Sequence, residues 1–398
     1  MSESQRVLML VENLPIARDH RLRKQAAALV ASGFAVTVIC RRDPDNALIP
    51  GIRLREYRAP IDALSKFGYL REYGWSLLMA AWQILRCLLA EGFDVLQVAS
   101  TPDIYFFLTV PMRLLGKVVV FDARDLSPEI YARRYGRSGG AVLTVLRALE
   151  RASYRSSDRV LAVNDSVSAI AQQRGGVPAD RVTVVGNGPV MNDVQSDGPR
   201  GSEATSGLTG CWIGLMGPQD GVDLALRAVA HLVYERRRTD AQFVFAGTGD
   251  ALPELRSLAD ELRIEQWVTF PGWLDSDGVV SLLQKSDVGL EPNLEDFVSP
   301  VKVMEYMAYG LPTVAFDLRE TRKIVGPGAL FAPAGDTVAF ADCIETLLAD
   351  PSARLTLGTV ARERIRDTYS WEHQERTYLE LYHTLLRHDR PDRTLELA

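Results

Sequence analysis

A lysine and a glutamate three residues apart, Lys302 and Glu305, stand in a segment that reads as a short helix from Ser299 to Ala308. Ser299 suits an N-cap, Pro300 the first helical position, and Gly310 followed by Pro312 a stop. Residues at i and i+3 share a face, so Lys302 and Glu305 are expected to look the same way. Val301, Met304 and Ala308 make a separate apolar stripe toward the core. A helix N-terminus attracts anions, because its first amides lack partners and its dipole is positive there. A lysine at that end makes a cradle for a diphosphate, and a carboxylate one turn on is placed to accept hydrogen bonds from a ribose diol. The bland alternative is a surface Lys–Glu pair that decorates a helix and binds nothing.

Other groups point less sharply. Gly247-Thr248-Gly249 follows a strand but lacks the third glycine of a dinucleotide fingerprint, so it is read as a place where backbone approaches a ligand. Trp273 follows Phe270-Pro271-Gly272 and by itself reads as a half-buried loop residue. His20 lies beside Arg21 and Arg23 at the mouth of the first strand-to-helix turn, as a ligand contact or a cap. Asp43-Pro44-Asp45 and Asp275-Ser276-Asp277 spell D-x-D, yet both lie in turn-like sequence and read as solvated carboxylates. No metal site is expected from the remaining histidines, and there is no P-loop, G-x-S-x-G elbow or H-E-x-x-H.

These residues need elements to hold them. Apolar runs alternate with helical patterns along the whole chain, which implies parallel sheets built from βαβ units. The expected strands are 7–11, 36–40, 95–99, 118–122, 159–163 and 182–185, then 211–215, 242–246, 267–270, 288–291, 313–316 and 329–331. Between the two series, Gly186 to Gly210 has linker composition. The expected layout is a domain at 1–190, a linker at 191–208, a second domain at 209–370, and C-terminal helices at 371–398 that pack on the first domain. A length of 398 residues fits two α/β domains.

A net charge of −6 argues against a nucleic-acid partner, which needs clustered Lys and Arg. The four cysteines lie far apart and read as buried apolar residues of a reducing cytoplasm. The run from Tyr73 to Ala90 is broken by Gln83 and Arg86, so a buried helix is expected there rather than a membrane span. An interfacial helix with Lys66, Arg71, Phe67, Tyr69 and Trp75 at its rim is the sharper alternative.

The run Glu305-Tyr306-Met307-Ala308-Tyr309-Gly310-Leu311-Pro312-Thr313-Val314 resembles the signature of the retaining glycosyltransferases of family four. Asp19-His20-Arg21-Leu22-Arg23, the Gly33–Val38 segment, Asn187-Gly188 and Ser370-Trp371-Glu372 resemble other parts of that family. Arg124-Asp125-Leu126-Ser127-Pro128-Glu129 is similar to the R-D-L-x-P-E element of its bacterial polysaccharide and aminosugar branch. The resemblance implies the GT-B fold, with two Rossmann-like doubly wound domains facing a cleft, and sugar transfer from a nucleotide diphosphate. The donor it implies is UDP-linked and UDP-GlcNAc-like, with GDP-linked sugars still open. It implies a hydroxyl acceptor, lipid-linked or small, with no metal and no cofactor. Two rival readings are a nucleotide-sugar epimerase and a non-catalytic partner protein.

On this resemblance the donor site comprises Gly217, Pro218, Gln219, Gly247, Gly249, Trp273, Ser299, Pro300, Val301, Lys302 and Glu305. Lys302, Asp125 and Arg124 are the expected catalytic set, and His20, Arg21 and Asp103 the acceptor side. Three departures stand out. Leu215 and Asp220 occupy the positions where the family places an Arg and a Lys on the diphosphate. Phe297 falls where the signature has its first Glu, with Glu295 and Asp296 adjacent. Ala123 and Arg124 occupy the neighbourhood of a frequent His. Cytoplasmic location, with contact to the inner membrane face, completes the expectation.

Overall fold

The computed structural model describes residues 5–12, 14–48, 50–58, 66–101, 103–134, 139–194 and 207–388. The chain divides into two compact units, one of residues 1–186 and 374–398, the other of residues 187–373.

The first unit is built on β1 (Arg6–Leu10), β2 (Ala35–Arg41), β3 (Ile52–Tyr57), β4 (Val95–Ala99), β5 (Val118–Ala123), β6 (Arg159–Ala162) and β7 (Val182–Val184). They pair in the order β3-β2-β1-β4-β5-β6-β7, every pairing parallel. β4 and β5 are buried at every residue, as expected of strands covered on both faces. β3 is absent from the expected strands. Its sequence, Ile-Arg-Leu-Arg-Glu-Tyr, alternates apolar and charged residues because it is an edge strand, unlike the continuous apolar runs elsewhere. The strand order reverses between β1 and β4, the switch point at which such sheets bind ligands beyond their C-terminal ends.

Gln97, in the middle of β4, is the polar exception and is fully engaged. Its Oε1 accepts from the hydroxyls of Tyr378 (2.8 Å) and Tyr382 (2.5 Å), while its Nε2 donates to Gln25 Oε1 (2.8 Å). The helix Trp371–His388 is thereby fastened to the sheet, since buried polar atoms left unbonded would be costly.

The helix Lys66–Ala90 differs from the buried helix expected. Ala80, Ile84 and Cys87 face the core, but Trp75, Leu78, Trp82, Leu85 and Leu89 are exposed at 45%, 63%, 55%, 44% and 78%. Their spacing of three and four residues puts all five on one side. Phe107, Val110 and Leu114 form a second exposed stripe on the helix Phe106–Leu114. Both helices pack against the same apolar cluster under β1 and β4. No helix among the described residues is long and apolar enough to cross a membrane. The side chains of Lys66, Phe67 and Tyr69 lie outside those described.

The second unit carries β8 (Leu208–Leu215), β9 (Ala241–Thr248), β10 (Val268–Gly272), β11 (Val288–Glu291), β12 (Thr313–Phe316) and β13 (Ala329–Ala332). Their order, β10-β9-β8-β11-β12-β13, is again parallel with one reversal, here between β8 and β11. Two apolar clusters sandwich this sheet, one around Trp212, Phe243 and Phe340, the other around Cys211, Met304 and Tyr306. Residues 195–206 of the expected linker fall outside the described residues.

Candidate active site

β8 and β11 pair through two residue couples, Gly210 with Val288 and Cys211 with Gly289. Beyond that they part, and Tyr306 fills the gap. Its hydroxyl accepts from the Ile213 amide (3.2 Å) and donates to the Leu290 carbonyl (3.4 Å). Its ring lies so close to Gly289 that a Cβ there would stand 2.4 Å from it. Tyr306 belongs to the helix Val301–Ala308, so this wedge also fixes where Lys302 begins. The helix starts one residue later than expected. Pro300 is its N-cap, without a side-chain capping bond, and the buried Ser299 Oγ has no hydrogen-bond partner. Proline cannot offer a capping oxygen, and the tight Val301 amide contact to the Ser299 carbonyl (2.9 Å) turns the chain there instead.

Lys302 runs back over the strand ends. Its Nζ lies 5.0 Å from the Trp212 ring centre, 3.4 Å from Glu291 Oε2 and 3.7 Å from Asp220 Oδ1. Glu291, the last residue of β11, is 2% exposed. Burial keeps its carboxyl raised, with the Lys302 ammonium opposing it only in part. Neither Glu291 nor Trp212 is among the expected site residues. The signal for Glu291 was a single carboxylate ending an apolar strand, Val-Gly-Leu-Glu-Pro. Glu305, expected beside Lys302, is half-buried one turn further on.

Asp220 arrives by way of a glycine-rich turn. Its Oδ2 accepts from the Gly217 amide (3.0 Å), and Pro218 to Asp220 form one 3-10 turn. Gly221 follows at φ +67°, where a Cβ would stand 2.0 Å from the Pro292 carbonyl oxygen. Only glycine fits, and the fit presses this turn against the end of β11. Gly247 is held similarly, at φ +142° with a Cβ position 1.8 Å from the Gly214 carbonyl oxygen. Across the same loops the Met216 amide donates to Thr248 (2.9 Å) and the Ala251 amide to Met216 (3.0 Å). Gly217, Gln219 and Gly249 thus gather beyond the ends of β8 and β9, with Gly247 next to last in β9. Trp273 follows β10 and is 69% exposed.

The neighbours of Phe297 take other partners. Asp296 accepts from the Arg319 amide (2.6 Å) and pairs with the Arg319 guanidinium (3.3 Å), and Glu295 is 9% exposed. Asp275 caps the helix Ser276–Lys285 through the Gly278 amide (2.9 Å), while Asp43 pairs with Arg18 (3.1 Å). Both D-x-D strings are therefore turn and capping residues.

In the first unit the chemistry gathers at the ends of β4 and β5. Asp122, completely buried, is bound by Arg21 (2.8 Å) and Arg124 (2.9 Å). Arg21 also donates to the Val185 carbonyl (2.7 Å), and Arg124 reaches Asp19. Burial raises the Asp122 carboxyl, but the two guanidinium groups outweigh it and hold it down at about 2. Arg21 is 6% exposed. Its expected contact with an acceptor is accordingly corrected: its guanidinium is engaged inside the fold. Arg124 is largely buried too, whereas Asp125 and His20 are exposed. Glu129 closes the same element through Arg174 (3.0 Å).

Asp103, after β4, is 6% exposed and one of its carboxylate oxygens, Oδ2, lacks a hydrogen-bond partner. Burial pushes its carboxyl up to about 7, helped by Glu150 and Asp125 and opposed by Ser127 and Arg174. The folded chain therefore keeps a proton that the unfolded chain, with this group near 3.8, releases. The contribution of Asp103 to stability falls as pH rises from about 4 to about 7. Asp103→Asn is expected to flatten this slope, read as the difference between variant and parent denaturation midpoints across that range. Parallel pH profiles would refute it.

Residues 19–188 match the model of the glycosyl transferase 4-like domain, and residues 207–350 match that of the glycosyl transferases group 1. The chain belongs to the family-four glycosyltransferases of the GT-B fold. Among its relatives, the alpha-D-kanosaminyltransferase of Streptomyces kanamyceticus is 27% identical over 52% of this chain and 55% of its own length. The phosphatidyl-myo-inositol mannosyltransferase of Mycobacterium leprae is 30% identical over 37% of this chain and 38% of its own length. The matches thus span about half or less of these relatives. The fold is shared with a sucrose-phosphate synthase from Thermosynechococcus elongatus, at TM-score 0.76 and 17% identity over 96% of this chain and 100% of that one. It is also shared with Anabaena Alr3699/HepE in complex with UDP, at TM-score 0.74 and 15% identity over 96% and 100%.

Proposed function

We propose that this protein transfers a sugar from a nucleotide diphosphate to an acceptor hydroxyl, with retention at the anomeric carbon. The observation that carries this reading is Lys302, whose ammonium stands at the parting of β8 and β11 beside the glycine turns. The donor diphosphate lies against Lys302, the Gly217 amide and the first turn of the helix Val301–Ala308. Glu305 accepts from the ribose, and Trp273 covers the base. The acceptor oxygen forms its bond to the anomeric carbon as the bond to the phosphate oxygen breaks on the same face. The departing phosphate takes the hydroxyl proton, so no protein base is needed. Positive charge waiting where the leaving group gains negative charge is the main source of rate.

Asp125 and His20, exposed beyond the strand ends of the first unit, meet the acceptor together with Asp103 after β4. Arg124 and Arg21 position this region through Asp122. UDP is the favoured nucleotide, supported by the structural likeness to a UDP complex. Incubation with UDP-linked and GDP-linked sugars, followed by mass spectrometry, tests the reading. A free nucleoside diphosphate with a glycosylated acceptor is expected; an isomerised nucleotide sugar would instead identify an epimerase, and no turnover a partner protein.

The acceptor is met at a membrane surface. The exposed side of the helix Lys66–Ala90 supports this, since its five apolar residues lie beside Arg71 and Arg86, both exposed. Such a face suits the interfacial layer of an anionic bilayer. The parent chain is expected to sediment with vesicles rich in anionic phospholipid, and less with zwitterionic ones. Leu78→Asp with Trp82→Glu should abolish this while leaving nucleotide binding intact. Unchanged sedimentation would remove the membrane from the proposal.

A further inference from the structure

The two donors that a diphosphate needs most in this site already hold a carboxylate. Asp220 Oδ2 accepts from the Gly217 amide (3.0 Å), and Oδ1 stands 3.7 Å from Lys302 Nζ. On its other side Lys302 meets the buried Glu291 at 3.4 Å. One ammonium therefore faces two carboxylates, and Asp220 makes with its two oxygens the contacts that two phosphate oxygens would make. We infer that Asp220 is an internal stand-in for the donor's diphosphate, a residue that sets nucleotide affinity by competing for Lys302 and the Gly217 amide. This rests on the placement of the donor diphosphate proposed above.

The exchange follows from the chemistry of the two anions. Asp220 lies on a one-turn segment with its side chain 16% exposed, so it can rotate into water without disturbing the sheet. Glu291 cannot, because it ends β11 and is enclosed. When a nucleoside diphosphate binds, the phosphates take the Gly217 amide and the ammonium, and Asp220 turns outward. Glu291 stays beneath Lys302 and keeps it aimed. Nucleotide binding then carries the cost of displacing a charged group that no nucleoside lacking phosphates would have to displace. Product release gains by the same amount, since the returning carboxylate helps to eject the diphosphate.

The test is calorimetric titration of UDP, GDP and uridine into the full chain, its Asp220→Asn variant and its Lys302→Ala variant. Asp220→Asn keeps an oxygen for the Gly217 amide but removes the charge. It is expected to bind the preferred diphosphate about tenfold more tightly, from the loss of one like charge within a few ångströms. Uridine binding should not change, which a merely structural effect on the pocket would alter as well. Equal or weaker diphosphate binding by Asp220→Asn, with Lys302→Ala still weakened, would overturn the role of Asp220 alone. Diphosphate binding that ignores Lys302→Ala, or that is missing from every form, would overturn the donor placement and this inference with it.

Discussion

Asp122→Ala is expected to destabilise the first unit by about 3–5 kcal/mol, because it removes the buried carboxylate shared by Arg21 and Arg124. Arg21 is 6% exposed and ties β5 to the Val185 carbonyl. Arg124 is bound to both Asp122 and Asp19. Removing Asp122 takes its carboxylate from Arg21 and leaves Arg124 with Asp19 alone, in a region where neither guanidinium is well hydrated. Asp122→Asn keeps the shape and loses the charge, so it should fall between the parent and the alanine variant. Denaturant titration measures this, and a midpoint shared by all three forms would show that the network contributes nothing. The same pairing sets an acid limit. A carboxyl held at about 2 when folded and near 3.8 when unfolded adds stability above pH 4 that disappears as pH falls toward 2.

Lys302→Ala should lower kcat/KM by about 10²–10³-fold, the usual effect of removing one preorganised charge from a developing anion. Most of the loss is expected in kcat, since the leaving diphosphate gains charge only as the glycosidic bond breaks. The fold should survive. Glu291 would lose its ion pair, but its carboxyl is already raised by burial, and without Lys302 it would take up a proton. Lys302→Arg tests geometry: the broader guanidinium has to fit between the Trp212 ring, Glu291 and Asp220. A fully active Lys302→Ala enzyme with an unchanged melting temperature would refute the leaving-group role.

The sequence was most informative where one residue type does one job. Strands buried on both faces are continuous apolar runs, and all such strands of both sheets were readable from composition. β3 was not, because an edge strand has charged residues on alternate positions and looks like loop. Lys302 was readable because helix stop signals and the flanking motif located its helix. Its partners were not. Glu291 and Asp220 lie 11 and 82 positions away from it, and parallel-sheet topology, rather than spacing, brings them together. The reverse error befell Arg21. Its place at the first strand-to-helix turn suggested a ligand contact, but sequence could not show that a buried Asp122, 101 residues on, would claim it.

Tyr306 gives the second unit a property that Lys302 alone does not. One phenol bridges β8 and β11 where their own ladder has ended, and the same side chain roots the helix that carries Lys302. Sheet and helix therefore cannot drift independently. A substitution that widens the gap between the strands also retracts the ammonium, so strand spacing and charge placement change together. On the donor placement proposed above, a new donor is consequently better accommodated by changes at the exposed Trp273 after β10 than by changes at Tyr306.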